Sequence, residues 1–263
     1  MPAPVPFKID FNESFEHLPN APIVEAVIHW RARSEKKLVP AELLQQLKER
    51  LPDYPISQQQ QEIQMESQVE HDGSSAQQHR TSWHGFRFES SDQKHVAQFT
   101  RNGFVFSRLK PYESWEPFEA EALRLWQIYL DLAEPSEIQR LGVRFLNLIA
   151  PVQPNQLGSL LTLPPKSPKA MGLPVRGFMH HTAFDIPGCA YNLNVTQTIQ
   201  PPTPTQTQGF SLILDIDVFT TNVLDLNTDD TKRRLAEMRW IKDKAFFSLL
   251  TKSAIKRFKE GTR

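Results

Sequence analysis

Ionisable side chains occupy alternate positions in three segments whose composition is typical of β-strands. The residues are Glu25, His29 and Arg31 in the first segment, Arg140 and Arg144 in the second, and Asp215 and Asp217 in the third. Alternate residues of a strand share one face of a sheet, and the apolar residues of these segments mostly occupy the intervening positions, whereas Val27 shares a face with Glu25 and His29. The pattern therefore predicts a sheet with one apolar face and one face, the charged face, that carries these side chains.

Two kinds of chemistry are open to the charged face. Mixed charges can select a partner by electrostatic complementarity, whereas carboxylates and arginines together can bind a metal ion or a phosphoester. Asp215 and Asp217 are two residues apart, which separates their carboxylates by about 7 Å, so a shared ion needs a further ligand such as Glu25. An antiparallel sheet also commonly exposes a charged face to solvent without any function.

A second group of residues combines basic and aromatic side chains, as nucleic-acid-binding surfaces do. Its members are Arg101, Arg108, Lys110 and Tyr112. The phenylalanines between them are expected in the core, and Trp115 is expected to begin a helix. The 30 basic and 30 acidic residues of the chain also cancel, so nucleic-acid binding through bulk positive charge is not expected.

Other residues capable of chemistry lack the arrangement that chemistry needs. His180 and His181 are adjacent in a predicted strand, so they point to opposite faces and cannot chelate one ion together. Cys189 is the single cysteine and follows a turn-like Pro187-Gly188 pair. The sequence contains no phosphate-binding glycine loop, nucleophile elbow or paired-cysteine zinc motif. We therefore expect no cofactor, no metal site and no catalytic residue.

The elements that position the charged face form two series. The first contains a strand over 21–30, a helix over Pro40 to Leu51, a meander of about four strands and a long helix near Trp115 to Leu132. Aromatic and β-branched residues favour the strands. The Asn102-Gly103 pair within the meander is a strong hairpin signal.

The second series repeats this order. It contains a strand over 140–148, a short helix over about 155–161, further strands ending with 212–219, and one terminal helix. Asn227 is expected to cap the terminal helix, and the basic residues from Lys252 onward are expected to lie at the C-terminal end of that same helix.

The correspondence predicts an α+β fold made of two pseudo-symmetric halves, each with a strand, a helix, a four-strand meander and a helix. The expected divisions are an extended lead-in over 1–20, a first half over 21–135 and a second half over 136–263. The connection over 151–174 contains too many prolines for a central strand. A curved antiparallel sheet backed by helices, analogous in topology to the TATA-binding-protein saddle, follows from this order. That analogy does not imply DNA binding.

The 263-residue chain is long enough to bury a substantial core as one compact unit. No run of about 18 apolar residues and no secretory signal pattern occurs in the sequence, so we expect a soluble, cytoplasmic protein with no membrane partner. The proline-rich segment over 201–209 is expected to form a long exposed loop.

Several segments, in order, carry a family resemblance. They include N-A-P-I-V-E-A-V at 20–27, G-F-V-F-S-R-L at 103–109, L-G-V-R-F-L-N at 141–147 and L-D-I-D-V-F at 214–219. The chain resembles a sporadically distributed bacterial protein family of about this length, and the resemblance spans almost the whole chain. It implies no activity, cofactor or catalytic residue, and a sporadic distribution suits mobile or defence-associated genes.

The sequence thus predicts a non-enzymatic binding or regulatory module that recognises a protein or a small ligand through the charged face. The alternative is a metal- or phosphoester-dependent enzyme that uses the carboxylates and arginines of the same face. A third alternative is nucleic-acid binding, which predicts an affinity that falls steeply with salt.

Overall fold

The computed structural model describes residues 7–69, 75–168, 170–202 and 209–260. These residues form nine strands and five α-helices. The strands are β1 (Ile23–Arg33), β2 (Ile56–Val69), β3 (Ser75–Glu89), β4 (His95–Thr100), β5 (Gly103–Leu109), β6 (Glu137–Val152), β7 (Met179–Asp185), β8 (Asn192–Gln200) and β9 (Phe210–Thr220). The helices are α1 (Pro40–Arg50), α2 (Trp115–Ala133), α3 (Leu157–Leu160), α4 (Thr228–Leu249) and α5 (Lys252–Glu260).

All nine strands belong to one sheet in the order β2-β3-β4-β5-β1-β6-β9-β8-β7, and every pair is antiparallel. β1 and β6 pair near the middle, with Val27 opposite Arg144 and Ile28 opposite Val143. Each of these two strands is flanked on its other side by a later strand of its own half, β5 or β9. The predicted mixed α+β class with a large antiparallel sheet is confirmed.

The two meanders differ in length. β2 to β5 are the four strands predicted for the first meander, whereas the described part of the second contains only β7, β8 and β9. The prediction of a four-strand second meander is therefore wrong for the described residues. The segment before β7 contains Pro164, Pro165, Pro168 and Pro174, and proline cannot donate to a strand ladder.

The core lies between one face of the sheet and helices α2 and α4. Ile28 on β1, Phe145 on β6 and Ile216 on β9 are completely buried on that face. Trp30 stacks on Trp126 of α2, with ring centroids 5.2 Å apart and planes 9° from parallel. The alternation that predicted the apolar face is confirmed for these three strands.

Local signals account for three of the helix ends. Pro40 begins α1, and α2 ends at a left-handed residue, Glu134, whose N–H donates to the carbonyl of Leu130. Asn227 caps α4, because its side-chain oxygen accepts the N–H groups of Asp229 and Asp230 at 2.9 and 3.0 Å.

The prediction of one continuous terminal helix is wrong. Leu250 is extended and buried, and it forms an isolated bridge with Leu161, which separates α4 from α5. The Thr251 hydroxyl then accepts the N–H of Ala254 at 3.2 Å and supports the first turn of α5. The basic residues from Lys252 onward therefore belong to a separate short helix.

The lead-in packs on two helices, and the prediction for the proline-rich connection is wrong at its first two residues. Lead-in residues 7–20 pack on α4 and α5, since Phe15 stacks on Phe247 at 5.3 Å and the Asn20 N–H donates to the Phe258 carbonyl at 3.0 Å. β6, a central strand, continues through Pro151, which falls at a register irregularity where no ladder N–H is needed.

Two remaining expectations concern the loop and the membrane. The loop over 201–209 falls largely on residues 203–208, which lie outside the described residues. Among the helices of the described ranges, none combines the length and apolar character needed to cross a membrane.

Candidate functional site

The structure brings the predicted charged-face residues together on three adjacent strands. The carriers are β1, β6 and β9, which lie side by side and present these side chains on the face opposite α2 and α4. Arg31 lies opposite Arg140, and Arg144 lies opposite Asp217. Strand alternation and register therefore suffice to assemble the site.

One guanidinium, that of Arg140, joins side chains from all three strands. Its Nη1 donates to His29 Nδ1 at 2.8 Å, and its Nη2 donates to the two carboxylate oxygens of Asp217 at 3.0 and 3.2 Å. The guanidinium carbon also lies 4.7 Å from the centre of the Phe219 ring, which is a cation–π contact. Only 20% of the Arg140 side chain is exposed, so the network is preorganised and mostly shielded from water.

Gly142 leaves the space in which Arg140 folds back. A Cβ atom at Gly142 would be 2.7 Å from Arg140 Nη1, closer than real contacts allow. Gly142 lies in register between His29 on β1 and Phe219 on β9, so any side chain here would occupy the position of the guanidinium. Strand alternation places Gly142 on this face without indicating a role for it, although a glycine inside a strand signals close approach of other groups.

Arg144 forms a second, bidentate pair with Asp215. Its Nε and Nη2 donate to the two carboxylate oxygens at 2.8 and 2.6 Å. The Arg144 side chain is 54% exposed whereas that of Asp215 is 17% exposed. An arginine has five N–H donors, so the outer edge of this guanidinium retains donors that face solvent. The hydrogen bonds that Arg144 donates to Asp215 raise the pKa of the arginine.

Burial and neighbouring charge make His29 neutral at physiological pH. Burial, followed by the positive charges of Arg140 and Arg31, lowers the pKa of His29 to about 4. Because arginine can only donate, Nδ1 must accept from Arg140 and the imidazole proton must be on Nε2. Burial raises the pKa of Asp217, and Arg140 and Arg144 act in the opposite direction. With His29 neutral, the arginines and carboxylates of the charged face balance.

Half-buried apolar residues adjoin the two ion pairs on the same face, and sequence reasoning missed their contribution. We call them the apolar strip: Val27, Leu109, Leu146, Leu148 and Ile213. Leu146 lies in register between Glu25 and Asp215, so the apolar strip is continuous with the charges. The signal was an apolar residue at a charged-face position, such as Val27 between Glu25 and His29.

The basic and aromatic residues of the second group do not form one surface. Arg101 pairs with Glu62, whereas Arg108 is only 9% exposed and its Nη2 donates to Glu113 at 3.0 Å. The side chain of Arg108 shares the helix-covered face with Phe104 and Phe106, so it is not available to a nucleic acid.

Tyr112 and Lys110 also do not share a surface. Tyr112 packs edge-on against Phe118 and Phe145 at 5.9 and 5.2 Å, which places it at the core, whereas Lys110 is exposed. The interleaved sequence pattern arises because a strand and a helix start follow each other closely along the chain.

Residues that could bind a metal remain dispersed. The described ranges contain no group of three or more His, Cys, Asp or Glu side chains arranged to hold an ion. His180 and His181 are neighbours in β7, and His181 Nδ1 lies 3.0 Å from the Thr196 hydroxyl. Burial raises the pKa of the free Cys189 thiol, which disfavours the reactive thiolate.

Comparisons of the chain with known proteins identify no relative. Neither a protein-family model, nor a curated protein, nor a solved structure matches the chain.

Proposed function

We propose that this protein is a non-enzymatic binding module that recognises a protein partner through the charged face. The observation that carries the proposal is the Arg144–Asp215 pair, held in bidentate geometry with 54% of the arginine side chain exposed beside the apolar strip. Arginine next to apolar residues is the composition of protein interfaces, in which a few such residues supply most of the binding free energy.

Preorganisation favours binding at this position. An isolated arginine loses rotamer freedom when a partner captures it, but Asp215 already holds Arg144 in one geometry. Binding therefore requires less ordering of side chains. Arg140 is fixed in the same manner by His29 and Asp217, so the centre of the face is rigid before a partner arrives.

The available donors indicate the chemistry of the partner. The unused N–H groups of Arg144 suit carboxylate or carbonyl oxygens, and the apolar strip suits aliphatic or aromatic side chains. The partner surface should thus combine an acidic residue with apolar neighbours. A broad face formed by three strands matches a protein surface better than a small molecule, for which concave pockets are usual.

The alternative functions have less support. A metal ion at Asp215 or Asp217 would have to displace the arginine that each carboxylate already binds. Phosphate binding would bring negative charge towards these two carboxylates and Glu25, which disfavours both a phosphoester and a nucleic acid.

The test compares partner capture by three forms of the tagged chain expressed in its native host. Arg144→Gln removes the exposed donor edge, and Arg233→Gln on α4 is the matched control because its side chain is 55% exposed and also paired to carboxylates. Quantitative mass spectrometry should find a protein that wild type and Arg233→Gln retain and that Arg144→Gln loses at least about tenfold.

The test requires that both variants fold. An exposed ion pair contributes at most about 1 kcal/mol, so urea unfolding of Arg144→Gln should be nearly that of wild type. The retained protein, once purified, should bind wild type in calorimetry with the same loss on Arg144→Gln. If no protein depends on Arg144, or if the dependent ligand proves to be a nucleic acid, the proposal is wrong.

We propose three finer features as well. The first is that the two halves are pseudo-symmetric, with a topology like that of the TATA-binding protein. The second is membership of the sporadically distributed bacterial family, and the third is a cytoplasmic location. The central β1–β6 pair, flanked by β5 and β9, supports the first. The segments that carry the family resemblance support the second, and the single cysteine supports the third. A superposition in which α2 and α4 fail to coincide would contradict the symmetry.

A further inference from the structure

β7 ends the sheet, and the side of this strand that faces away from β8 is called the free edge. β8 is the one neighbour of β7 in the described sheet. All seven residues of β7 are exposed, including Met179 at 71% and Phe184 at 46%. These two apolar side chains point to opposite faces of the strand, so the described part of the chain buries neither face of β7.

The free edge lacks the features by which proteins protect edge strands from further pairing. Such features include lysine and proline residues, β-bulges and covering loops. β7 contains neither lysine nor proline, and its register with β8 is regular from Met179 to Asp185. The opposite edge strand, β2, has a register irregularity at Gln60–Gln61 and carries the charged Glu62. β7 is therefore the edge to which another strand can add.

The odd-numbered residues of β7 supply the free backbone groups. The Ile186 N–H, directly after β7, donates to the Tyr191 carbonyl at 3.3 Å, and the Phe178 carbonyl, directly before β7, accepts from the Thr198 hydroxyl of β8 at 2.8 Å. Backbone groups alternate in direction along a strand, so even-numbered residues face β8 and odd-numbered residues face outwards. The outward residues are Met179, His181, Ala183 and Asp185.

These outward residues are self-complementary when β7 runs antiparallel to a copy of itself centred on Ala183. His181 then lies opposite Asp185 of the second copy, and this pairing occurs twice. His181 Nδ1 lies 3.0 Å from the Thr196 hydroxyl, which leaves Nε2 to donate to the carboxylate across the edge. Asp185 is exposed, and its carboxylate has no partner among the described residues.

The same arrangement covers the apolar side chain on the other face of β7. Phe184 lies opposite Thr182 of the second copy, and the two phenylalanines become diagonal neighbours about 7–8 Å apart, within reach of aromatic side chains. Centring the pair on Thr182 would instead place Met179 opposite Asp185, an apolar side chain against a carboxylate. The register centred on Ala183 therefore fits both faces better.

We infer that the free edge of β7 pairs antiparallel with β7 of a second copy of this chain, about a two-fold axis at Ala183. The two sheets join into one, and because the axis is normal to the sheet, both charged faces lie on the same side. One pair of short strands buries a small interface, so we expect a dissociation constant on the order of 10 μM. The inference concerns a surface separate from the charged face and does not depend on the proposed function.

Sedimentation velocity of the purified full chain from about 1 to 200 μM tests the inference. Wild type should change from monomer to dimer without larger species, because a two-fold contact closes on itself. Ala183→Lys sets two ammonium groups opposite each other at the axis and should raise the dissociation constant at least about tenfold. Gln59→Lys is the matched control, because Gln59 is also exposed on an edge strand. Gln59→Lys and Arg144→Gln should dimerise as wild type does.

A charge exchange tests the register. Asp185→Lys places a cation opposite His181 at both ends of the strand pair and should weaken dimerisation roughly 2- to 30-fold, the range expected from two cross-strand pairs. Adding His181→Glu to Asp185→Lys restores opposite partners and should recover the affinity. Circular dichroism confirms that each variant is folded.

Hydrogen exchange of wild type keeps the inference testable if a variant fails to fold. Raising the concentration through the dimer midpoint should slow exchange of the outward Ala183 amide, whereas the Thr182 amide, which faces β8, should already be slow in the monomer. The inference is overturned if wild type stays monomeric to about 200 μM or forms larger species. It is also overturned if Ala183→Lys dimerises as wild type does, if the double exchange fails to recover affinity, or if Ala183 exchange does not change.

Discussion

Acidification should destabilise the protein through His29. In the folded chain its pKa is about 4, whereas the ordinary value is 6.5. The unfolded chain therefore takes up a proton at pH values where the folded chain remains neutral, and stability falls as the pH falls. The stabilisation is fully present above the ordinary pKa and is lost progressively between about pH 6.5 and pH 4. The physical cause is burial together with repulsion from Arg140, which already donates to the ring.

The magnitude follows from the two pKa values of His29. The interval between 6.5 and about 4 corresponds to about 3 kcal/mol of free energy of unfolding when the loss is complete. At pH 5 most unfolded molecules carry the proton and most folded molecules do not, so about 2 kcal/mol is already lost. Such a loss is a large fraction of the stability of a typical domain.

Urea unfolding of wild type and His29→Asn between pH 7.5 and pH 5 measures this loss. The asparagine oxygen can accept from Arg140 but does not titrate, so the variant should lose about 2 kcal/mol less than wild type at pH 5. Other titrating groups, such as Asp217 and His95, are present in both chains and cancel in the difference. Parallel stability curves for the two chains, or an NMR-measured pKa of His29 above 6, would refute the reasoning.

Three further substitutions test other contacts of the structure. Gly142→Ala places a methyl group 2.7 Å from Arg140 Nη1. Urea unfolding should show that the free energy of unfolding falls by about 1–2 kcal/mol. NMR titration should show a higher pKa for His29, which Arg140 contacts. Asn227→Ala removes a cap that accepts two N–H groups, and urea unfolding should show a loss of about 1 kcal/mol, whereas no loss would contradict the cap. Tyr54→Phe removes the 2.7 Å hydrogen bond that the tyrosine hydroxyl donates to Glu121. Thermal unfolding should show a loss of about 1 kcal/mol in the free energy of unfolding. An unchanged midpoint would show that water replaces the lost hydrogen bond.

The charged face was predictable because alternation with a period of two is written directly in the sequence. Arg140, Arg144, Asp215 and Asp217 needed only the assignment of strands to be placed on one face. Their proximity depends in addition on the pairing of β6 with β9, which residue spacing does not specify.

The pairing within the face could not be predicted in the same way. Arg144 lies opposite Asp217 in register but binds Asp215. The reason is that Arg140 folds back over Gly142 and forms its own ion pair with Asp217. This choice depends on the space left by a glycine and on side-chain conformations, which residue spacing does not specify.

Tertiary contacts account for the other differences. Arg108 has the spacing of a surface residue in a basic–aromatic pattern, yet strand pairing directs it to the helix-covered face. The break after α4 depends on a bridge between Leu250 and Leu161, which are far apart in the chain. Local propensity cannot report either contact.

The β1–β6 pair has a consequence for synthesis of the chain on the ribosome. Its contacts join Ile23 to Asn147 and Arg33 to Glu137, so more than a hundred residues are made between the partners. At about 5–20 residues per second, β6 emerges on the order of 5–20 s after β1. β5 can cover one edge of β1 earlier, but the other edge stays open until β6 arrives, and an open edge recruits strands from other chains. Translation speed and chaperone supply should thus govern the yield of native protein.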